Sequence, residues 1–520
     1  MSISNVSIFL VTVSMYLGRQ GYSIIKEDLT LEQKRKIKND LLMKPIVPKI
    51  VQTVTTFPIY RESRNKLYVP LYYGISEFGD PKEVRLAECE DIDIKFHGEM
   101  RSYQNDIIGK YLRCTEGREY GGGLLDVMTG SGKTVMALNI ISKIKKKTLV
   151  IVHKSFLMNQ WIERIEMFLP DAKVGKIQGE NIDIEGKDIV IGMLQSLSMK
   201  EYHESTFESF GLLVCDEVHH LSAEVFVRAL QKIVTRYTLG LSATMQRKDG
   251  LSKVFKMFLG DIIHKDERKN EHDVLINACH YETDDMMFQE TKYDMRGNPL
   301  YSVMISKLCQ YNKRTEYIVN LILKAREHAN CEQIMVLSHN KNLLMYIYKA
   351  LVEYHDIESV GYYLGGMKEK DLKVSETKEI ILATYAMASE GLDIKTLTTL
   401  IMATPKTDVT QSVGRILRKK DHQPVVFDIV DMHSVFQGQW KKRKAYYKKM
   451  GYSIHDSSNQ DYNIAMEKIN RVFKEKAKQT NTGKRKSKAN DMNKRQTLVY
   501  SDSDEETSEK IKQECCLLMD

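Results

Sequence analysis

Short apolar runs alternate with amphipathic segments over the first half of the chain. The runs are almost entirely apolar, as is typical of strands buried on both faces of a parallel sheet. They span residues 124–127, 148–153, 188–194, 212–215 and 237–242. Between them, apolar residues recur at helical spacing, as at Leu157, Trp161 and Ile165. Strands that alternate with helices indicate βαβ units, so this stretch predicts a doubly wound α/β domain.

A second series of the same kind follows. Its apolar runs span residues 333–338, 360–364, 379–385, 397–404 and 425–430. The segment between the two series, 266–300, is polar and contains the turn signal Arg-Gly-Asn-Pro at 296–299. Two α/β sheets of similar size joined by an irregular linker predict two lobes with a cleft between them.

The two ends of the chain differ from these series. Residues 1–95 predict a separate small α+β domain, with a charged helix over 31–43 that starts in a capping box of Thr30 and Gln33. The apolar run 6–17 has no basic residues before it and is too short to span a membrane, which favours a buried strand over a cleaved signal. Apolar periodicity is lost after 445, so residues 446–520 predict a largely disordered tail.

Length, charge and cysteine spacing bear on the number of domains and on the kind of partner and compartment. A chain of 520 residues is too long for one core and suggests roughly three domains. The net charge of +8 is uneven: residues 441–500 carry +12 and residues 501–520 carry −5. The basic stretch is either a solvated tail or a contact for phosphates. The eight cysteines show no C-x-x-C spacing, which favours a reducing compartment and argues against structural zinc.

A phosphate-binding loop is the strongest local signal. The sequence Thr-Gly-Ser-Gly-Lys-Thr at 129–134 follows a predicted strand and opens a predicted helix. Glycines let backbone N–H groups wrap a phosphate chain at a helix N-terminus. Lys133 is expected to reach the β- and γ-phosphates, and Thr134 to bind Mg²⁺. The strict pattern has Gly where Val127 stands, and the alternative interpretation is a glycine-rich turn.

Paired carboxylates form the second signal. Asp216 and Glu217 follow the apolar run 212–215 directly. Carboxylates at the end of a buried strand lose hydration unless a cation compensates for it. We therefore expect Asp216 to hold Mg²⁺ and Glu217 to deprotonate an attacking water. A solvated turn is the alternative.

A pair of arginines forms the third signal. The sequence Gln-Ser-Val-Gly-Arg-Ile-Leu-Arg at 411–418 puts Arg415 and Arg418 on one helix face, with no acidic residue inside this segment. Planar guanidinium groups are suited to neutralising charge on a γ-phosphate. A surface helix is the alternative interpretation.

In this order the motifs resemble those of superfamily 2 helicases of the DExH type, over roughly residues 96–440. The resemblance implies two tandem RecA-like doubly wound parallel-sheet domains, 96–265 for ATP binding and 301–445 as the C-terminal one. It also implies ATP and Mg²⁺ as cofactors. The implied nucleotide-binding residues are Gln104, Val127, Met128, Thr129, Gly130, Ser131, Gly132, Lys133, Thr134 and Asp393.

The same resemblance implies roles for further positions. Catalytic roles fall on Glu217, Gln411, Arg415 and Arg418, and metal binding falls on Thr134 and Asp216. Coupling of hydrolysis to movement falls on His219, Ser242 and Thr244. Contacts to nucleic acid fall on His153, Lys154, Gln195, Ser196 and Thr384.

Three segments resemble a narrower group. Residues 247–250, Arg-Lys-Asp-Gly, resemble a motif of XPB-like and UvsW-like enzymes, although Met245 stands where many of these have Pro. The leader that starts at 21–24 and the segment 443–451 resemble helicases of large nucleocytoplasmic DNA viruses, including iridoviruses. This resemblance implies an intracellular location, in the host cytoplasm or nucleus or inside a virion.

The sequence therefore predicts a monomeric ATP-dependent helicase or translocase without a membrane segment. DNA is favoured over RNA by the XPB and UvsW resemblance, and transcription or replication proteins are expected partners. One alternative is a motor that releases transcripts or remodels complexes without separating strands. Another is a silent nucleic-acid-binding scaffold, which the presence of the complete set Lys133, Asp216, Glu217, Arg415 and Arg418 disfavours.

Overall fold

The computed structural model describes residues 15–46, 55–128, 130–218, 223–243, 250–266, 274–327, 331–389, 394, 396–414 and 423–459. The chain divides into two compact units, Met1–Arg268 and Lys269–Asp520.

The first unit begins with a small sheet of its own. Its elements are β1 (Met15–Gly18), β2 (Gly21–Ile25), a 3-10 turn (Lys26–Asp28), α1 (Leu31–Asp40), β3 (Leu42–Met43), β4 (Phe57–Pro58), β5 (Arg61–Glu62), β6 (Lys66–Val69), α2 (Leu71–Phe78) and β7 (Glu83–Arg85). Five strands pair in the order β5-β6-β2-β1-β7. The predicted capping box is confirmed, because Gln33 N–H donates to Thr30 Oγ1 and Thr30 N–H donates to Gln33 Oε1. Helix α1 ends at Asp40, before the predicted 43, because Leu42 and Met43 pair with β4.

A larger sheet follows in the same unit. Its elements are α3 (Ser102–Arg113), β8 (Gly121–Asp126), α4 (Lys133–Ile144), β9 (Thr148–Val152), α5 (Ser155–Phe168), β10 (Val174–Gln178), β11 (Asn181–Ile182), β12 (Ile189–Met193), α6 (Leu194–Met199), β13 (Leu212–Cys215), α7 (Ala223–Leu230), β14 (Tyr237–Ser242), α8 (Ser252–Leu259) and β15 (Ile262–Lys265). The order is β11-β10-β12-β9-β13-β14-β8-β15, with every pair parallel among those that the structure describes except β10 with β11.

The apolar runs of the first series are the central strands of this sheet, as predicted. Strand β8 starts at Gly121, three residues before the predicted run. Its glycines allow β14 to approach, since a Cβ on Gly122 would lie 2.1 Å from the carbonyl oxygen of Thr238. Apolar periodicity does not register glycines that are selected for close backbone contact.

The small sheet packs on the large one within the first unit. Helix α2 lies against α8, and Tyr72 OH lies 3.2 Å from Thr238 Oγ1. One hydrophobic cluster contains side chains of both sheets. In the described residues, the region predicted as a separate N-terminal domain therefore shares a core with the large sheet of the first unit.

The second unit contains another doubly wound sheet. Its elements are β16 (Leu275–Tyr281), α9 (Met286–Gln289), α10 (Tyr301–Gln310), α11 (Asn312–Arg326), β17 (Ile334–Ser338), α12 (Lys341–Lys349), a π turn (Ala350–Tyr354), β18 (Val360–Tyr363), α13 (Glu369–Glu376), β19 (Ile380–Thr384), α14 (Tyr385–Ser389), β20 (Thr399–Met402), α15 (Thr410–Gly414), β21 (Val425–Asp431), α16 (Ser434–Lys449) and β22 (Ser453–Ser458). The order is β18-β19-β17-β20-β21-β16-β22, and its described pairs are parallel.

Two predicted boundaries are corrected by this sheet. Strand β16 lies inside the segment 266–300 that the sequence predicted as a linker, and β22 lies beyond the predicted end at 445. Strand β22 is a polar edge strand, so it lacks the apolar signature of a central one. Helix α16 continues to Lys449 because Tyr447 is buried and its hydroxyl donates to Asp428.

The predictions on membrane segments, cysteines and the chain ends can be compared only with the described residues. Within the described residues, every helix is too short or too polar to cross a bilayer. Cysteines in the described part of the chain are free thiols, and no described group of three or more His, Cys, Asp or Glu is arranged to hold a metal. The predicted tail after 459 and the apolar residues 6–14 lie outside the described residues.

Two helical glycines should respond to alanine in opposite ways. A Cβ on Gly74 in α2 would lie 2.2–2.7 Å from the ring of Tyr22, which is fully buried. Gly74→Ala should therefore lower the free energy of unfolding by roughly 1–3 kcal/mol through overpacking. Gly438 in α16 has nothing within 4 Å of a built Cβ, and Gly438→Ala should stabilise by about 0.5–1 kcal/mol. Urea unfolding measures both, and a Gly74→Ala protein as stable as the parent would contradict the packing.

Candidate functional site

The predicted phosphate-binding loop, residues 127–134 and hereafter the P-loop, connects β8 to the start of α4. Gly130 and Gly132 have φ values of 85° and 81°, a left-handed conformation that favours glycine. A Cβ on Gly132 would also lie 2.5 Å from Gln104 Nε2. Thr129 lies outside the described residues. The loop presents the first N–H groups of α4 at a helix N-terminus, where anions bind.

Gln104 lies against the P-loop, as the sequence predicted. Its Nε2 donates to the carbonyl oxygen of Ser131 at 3.0 Å, and its Oε1 accepts from the N–H of Arg101 at 2.9 Å. The hydroxyl of Tyr103 donates to the same Ser131 oxygen at 2.9 Å. Helix α3 therefore holds one side of the loop, while a role of Gln104 in binding nucleotide stays a prediction.

Lys133 and the two predicted carboxylates meet at one edge of the sheet. The Lys133 ammonium is 9% exposed and lies 3.4 Å from Glu217 Oε1. Asp216 is buried, and its Oδ2 accepts a hydrogen bond of 2.8 Å from Trp161 Nε1. Thr134, the other predicted metal ligand, is the second residue of α4 and is half-buried. The structure thus brings together residues that are more than 80 positions apart in the chain.

Burial dominates the electrostatics of Asp216. Burial, and after it the charge of Glu217, raise the pKa of Asp216 to about 6, although Trp161 and Lys133 act in the opposite direction. Glu217 itself has a φ of 49°, which is uncommon for a residue with a side chain. Unfavourable backbone geometry of this kind is concentrated at functional sites.

Two residues near this cluster were not singled out as functional by the sequence. Trp161 was predicted as a core position of α5, yet its indole N–H is the hydrogen-bond donor to Asp216. Asp266 accepts a hydrogen bond of 2.8 Å from the backbone N–H of Met128 in the P-loop. No spacing signal marks either contact.

The coupling residues are described only in part. Ser242 ends β14, is fully buried, and its carbonyl oxygen accepts the N–H of Val127 at 2.9 Å. A shift of this strand end would therefore act on the P-loop directly. His219 and Thr244 lie outside the described residues.

Three residues predicted to contact nucleic acid lie together at the carboxyl ends of β9 and β12. Gln195 Nε2 donates to the carbonyl oxygen of His153 at 3.3 Å. Ser196 Oγ accepts from the N–H of Gly179 at 2.9 Å. Burial lowers the pKa of the neighbouring Lys154. Thr384, the last predicted contact, is the final residue of β19 in the second unit and is half-buried.

The segment that leads to the predicted arginine motif is held from several sides. Carbonyl oxygens of four consecutive residues each accept a side-chain donor. These are Ala403 from Arg314 at 2.9 Å, Thr404 from Tyr385 at 2.6 Å, Pro405 from Tyr301 at 3.2 Å, and Lys406 from Arg443 at 2.8 Å. Arg415, Arg418 and Asp393 lie outside the described residues, as does the side chain of Gln411.

Both arginines that hold this segment are buried in ion pairs. Arg314 donates to both carboxylate oxygens of Asp431 at 2.5 and 2.8 Å. Arg443 donates to both oxygens of Asp428 at 2.7 and 2.8 Å. Removing one member would leave an uncompensated buried charge, so the pairs act as rigid supports. The sequence did not reveal them.

Sequence comparison finds relatives over most of the chain. The family described as type III restriction enzyme, res subunit, matches residues 97–247. A protein of Acanthamoeba polyphaga mimivirus, named as an ATP-dependent RNA helicase, is 37% identical over 452 residues, 84% of this chain and 86% of its own. A protein of Invertebrate iridescent virus 6, named as a helicase, is 26% identical over 69% of this chain and 83% of its own. The DNA 3′-5′ translocase XPB2 of Sulfurisphaera tokodaii is 25% identical over 69% of this chain and 89% of its own.

Solved structures of similar fold include a nucleic-acid-bound one. S. cerevisiae Dbp5 bound to RNA and ADP BeF3 matches with a TM-score of 0.50 at 11% identity, over 71% of this chain and 93% of that one. A fragment of an HsdR subunit of a type I restriction enzyme from Vibrio vulnificus matches with a TM-score of 0.50 at 18% identity, over 70% of this chain and 69% of that one. The two α/β sheets are RecA-like.

Asp216→Asn should stabilise the metal-free and nucleotide-free protein in a pH-dependent way. The folded pKa of Asp216, about 6, lies above its ordinary value of 3.8, so Asp216 contributes stability at low pH that is lost as pH rises through 6. Asn keeps an acceptor for Trp161 without the charge. In EDTA, the variant should gain up to roughly 3 kcal/mol over the parent between pH 4 and pH 7. The exposed Asp171→Asn is the control, and a gain that does not change with pH would contradict the assignment.

Proposed function

We propose that this chain hydrolyses ATP on its first unit to move along a nucleic-acid strand. The proposal starts from the family: the chain belongs to the superfamily 2 helicases and resembles those of large DNA viruses. The observation that carries the proposal is the cluster of Lys133, Asp216 and Glu217 beside a left-handed glycine loop. The chemistry of this donor set suits a triphosphate, since it combines a helix N-terminus with a buried ammonium.

The same residues fit a magnesium ion. The hydroxyl of Thr134 and the carboxylate of Asp216 are hard oxygen ligands, which Mg²⁺ prefers. A cation beside Asp216 would favour its ionised form and offset the burial that raises its pKa. Mg²⁺, when bound, supplies positive charge that neutralises the phosphate oxygens.

Glu217 has a second task in this scheme. Its Oε1 lies 3.4 Å from the Lys133 ammonium. We infer that the γ-phosphate of bound ATP would pair with the Lys133 ammonium in place of Glu217. Glu217 would then be available to accept a proton from the attacking water. The DExH assignment follows from this pairing together with the sequence Asp-Glu-Val-His at 216–219.

The strand-contacting face is proposed to include His153, Gln195 and Ser196. Amide, hydroxyl and backbone groups grip a phosphate backbone without reading bases, so movement need not depend on sequence. The relatives' names divide between an RNA helicase and a DNA translocase. DNA is the substrate we propose, on the resemblance of residues 247–250 to XPB-like and UvsW-like enzymes.

Arg415 and Arg418 are proposed to stabilise the charge that develops on the γ-phosphate. The support is their spacing in the segment 411–418 and the rigid support of residues 403–406 that precede it. Buried ion pairs would hold the approach to this segment while hydrolysis proceeds.

Glu217→Gln should separate ATP binding from hydrolysis. The variant keeps size and hydrogen bonding but loses the base, so ATP binding should persist while turnover falls roughly 10²–10⁴-fold. Lys133→Ala should lose ATP binding and turnover, and its melting temperature should fall because Glu217 and Asp216 lose a neighbouring cation. Glu224→Gln on α7, whose side chain is 42% exposed, is the control. Calorimetric binding and single-turnover hydrolysis measure the two steps. Loss of ATP binding in a folded Glu217→Gln protein would make Glu217 structural.

The proposed movement along nucleic acid is tested on the parent protein. ATPase rates with single-stranded DNA, duplex DNA and RNA, each at several salt concentrations, give the substrate preference. Stimulation by DNA together with strand separation supports a helicase. Stimulation without separation supports a translocase that releases transcripts or remodels complexes, and stimulation by RNA alone contradicts the DNA assignment.

Arg418→Ala should leave ATP binding near normal and reduce turnover by about 10³-fold or more, because arginine fingers act on the transition state. Arg418→Lys should restore little, since an ammonium lacks the planar fork. Arg326→Ala, an exposed arginine paired with Glu379 in the same unit, is the control. Parent-like single-turnover hydrolysis in Arg418→Ala would remove this residue from the mechanism.

A further inference from the structure

Asp266 joins the end of strand β8 to the P-loop. It directly follows β15, the edge strand beside β8. Its backbone N–H donates to the carbonyl oxygen of Asp126 at 2.8 Å. Its Oδ2 accepts the backbone N–H of Met128, also at 2.8 Å. One residue therefore binds both the last carbonyl of the strand and the second residue of the loop.

A chain of hydrogen bonds orients this carboxylate. His264 Nε2 lies 2.8 Å from Asp266 Oδ1, and Lys110 Nζ lies 3.2 Å from His264 Nδ1. An ammonium only donates, so Nδ1 is the acceptor and the imidazole proton lies on Nε2, directed at Asp266. The side chains of His264 and Asp266 are 17% and 18% exposed, so their contact is largely shielded from water, whereas Lys110 is exposed.

The contact completes a set of three supports for the described part of the P-loop. Val127 is held by the Ser242 carbonyl from β14, and Ser131 is held by Gln104 from α3. Met128 is held by Asp266 from β15. Only the last of these uses a charged acceptor, and hydrogen bonds to ionised groups are the stronger kind.

A carboxylate beside a phosphate site repels the ligand unless its charge is engaged elsewhere. Here the carboxylate of Asp266 accepts hydrogen bonds from the N–H of Met128 and from His264, and the Lys110 ammonium contacts the other nitrogen of the same imidazole. Its position is thus suited to shaping the backbone and not to binding a metal. Asp216 and Glu217, in contrast, are expected to act on magnesium and water.

We propose that Asp266, oriented by His264 and Lys110, is a positioning residue that sets the conformation in which the P-loop binds nucleotide. It acts through the backbone of Met128 and touches no reacting atom. The proposal rests on the proposed function of the P-loop as an ATP site.

Asp266→Ala should weaken ATP binding roughly tenfold, because a loop that has lost a charge-assisted support must be ordered by the ligand. Hydrolysis at saturating ATP should stay within a few-fold of the parent, since Lys133 and Glu217 are untouched. Asp266→Asn keeps one acceptor oxygen but cannot accept from both N–H donors. Its ATP affinity should therefore lie between that of the parent and that of Asp266→Ala. Asp261→Asn is the matched control, because this carboxylate precedes β15, is 93% exposed and lies away from the loop.

Hydrogen–deuterium exchange at the Met128 amide, in nucleotide-free protein, reads the contact without any activity. Exchange should be faster in Asp266→Ala, intermediate in Asp266→Asn and in Lys110→Met, and parent-like in Asp261→Asn. If Asp266→Ala does not fold, Asp266→Asn and Lys110→Met carry the test. Parent-like exchange and parent-like ATP affinity in these variants overturn the proposal.

The two proposals fail in different ways. A parent protein that does not bind ATP, or whose binding survives Lys133→Ala, contradicts the proposed function. In that case the exchange measurement still decides whether Asp266 holds Met128. Faster exchange with unchanged ATP affinity would show that Asp266 orders the loop but does not set nucleotide binding, which overturns the positioning role.

Discussion

The burial of Lys133 beside Asp216 and Glu217 is the constraint on which the first unit depends. Removing an ammonium and two carboxylates from water costs several kcal/mol for each ion unless they compensate one another at close range. Lys133 follows β8 and the two acids follow β13, with β14 between these strands. Parallel strands with aligned carboxyl ends bring the charges together, so the order of the strands is a requirement of the charge cluster as well as of the core.

The compensation is incomplete, and this is consistent with a site for a charged ligand. The pKa of Asp216 remains raised, and Glu217 keeps a left-handed backbone. A magnesium ion beside Asp216 would relieve the first of these features, because it favours the ionised carboxylate. The surrounding strands, which are largely apolar, supply the stability that tolerates such a site.

The second unit uses buried charge differently. Arg314 and Arg443 are each matched by a bidentate carboxylate, and each also donates to a backbone carbonyl between β20 and α15. Each guanidinium charge thus has its own buried carboxylate, whereas in the first unit one ammonium lies beside two carboxylates, which leaves room for a charged ligand. The sheet of the first unit thus carries charges that can exchange partners when a ligand binds. The sheet of the second unit carries ion pairs whose partners are already matched.

The sequence by itself determined the strands that are buried on both faces, such as β12 and β13, because such strands are apolar at nearly every position. It also determined the P-loop and the acid pair, whose chemistry is local. Tertiary structure alone decided β16, the polar edge strand β22, and the glycine-rich start of β8, whose residues are selected by their neighbours. It alone decided the roles of Trp161 and Asp266, which act on partners 55 and 138 positions away in the chain. Contacts at such separations leave no periodic trace, because the residues that make them are brought together only when the sheet forms.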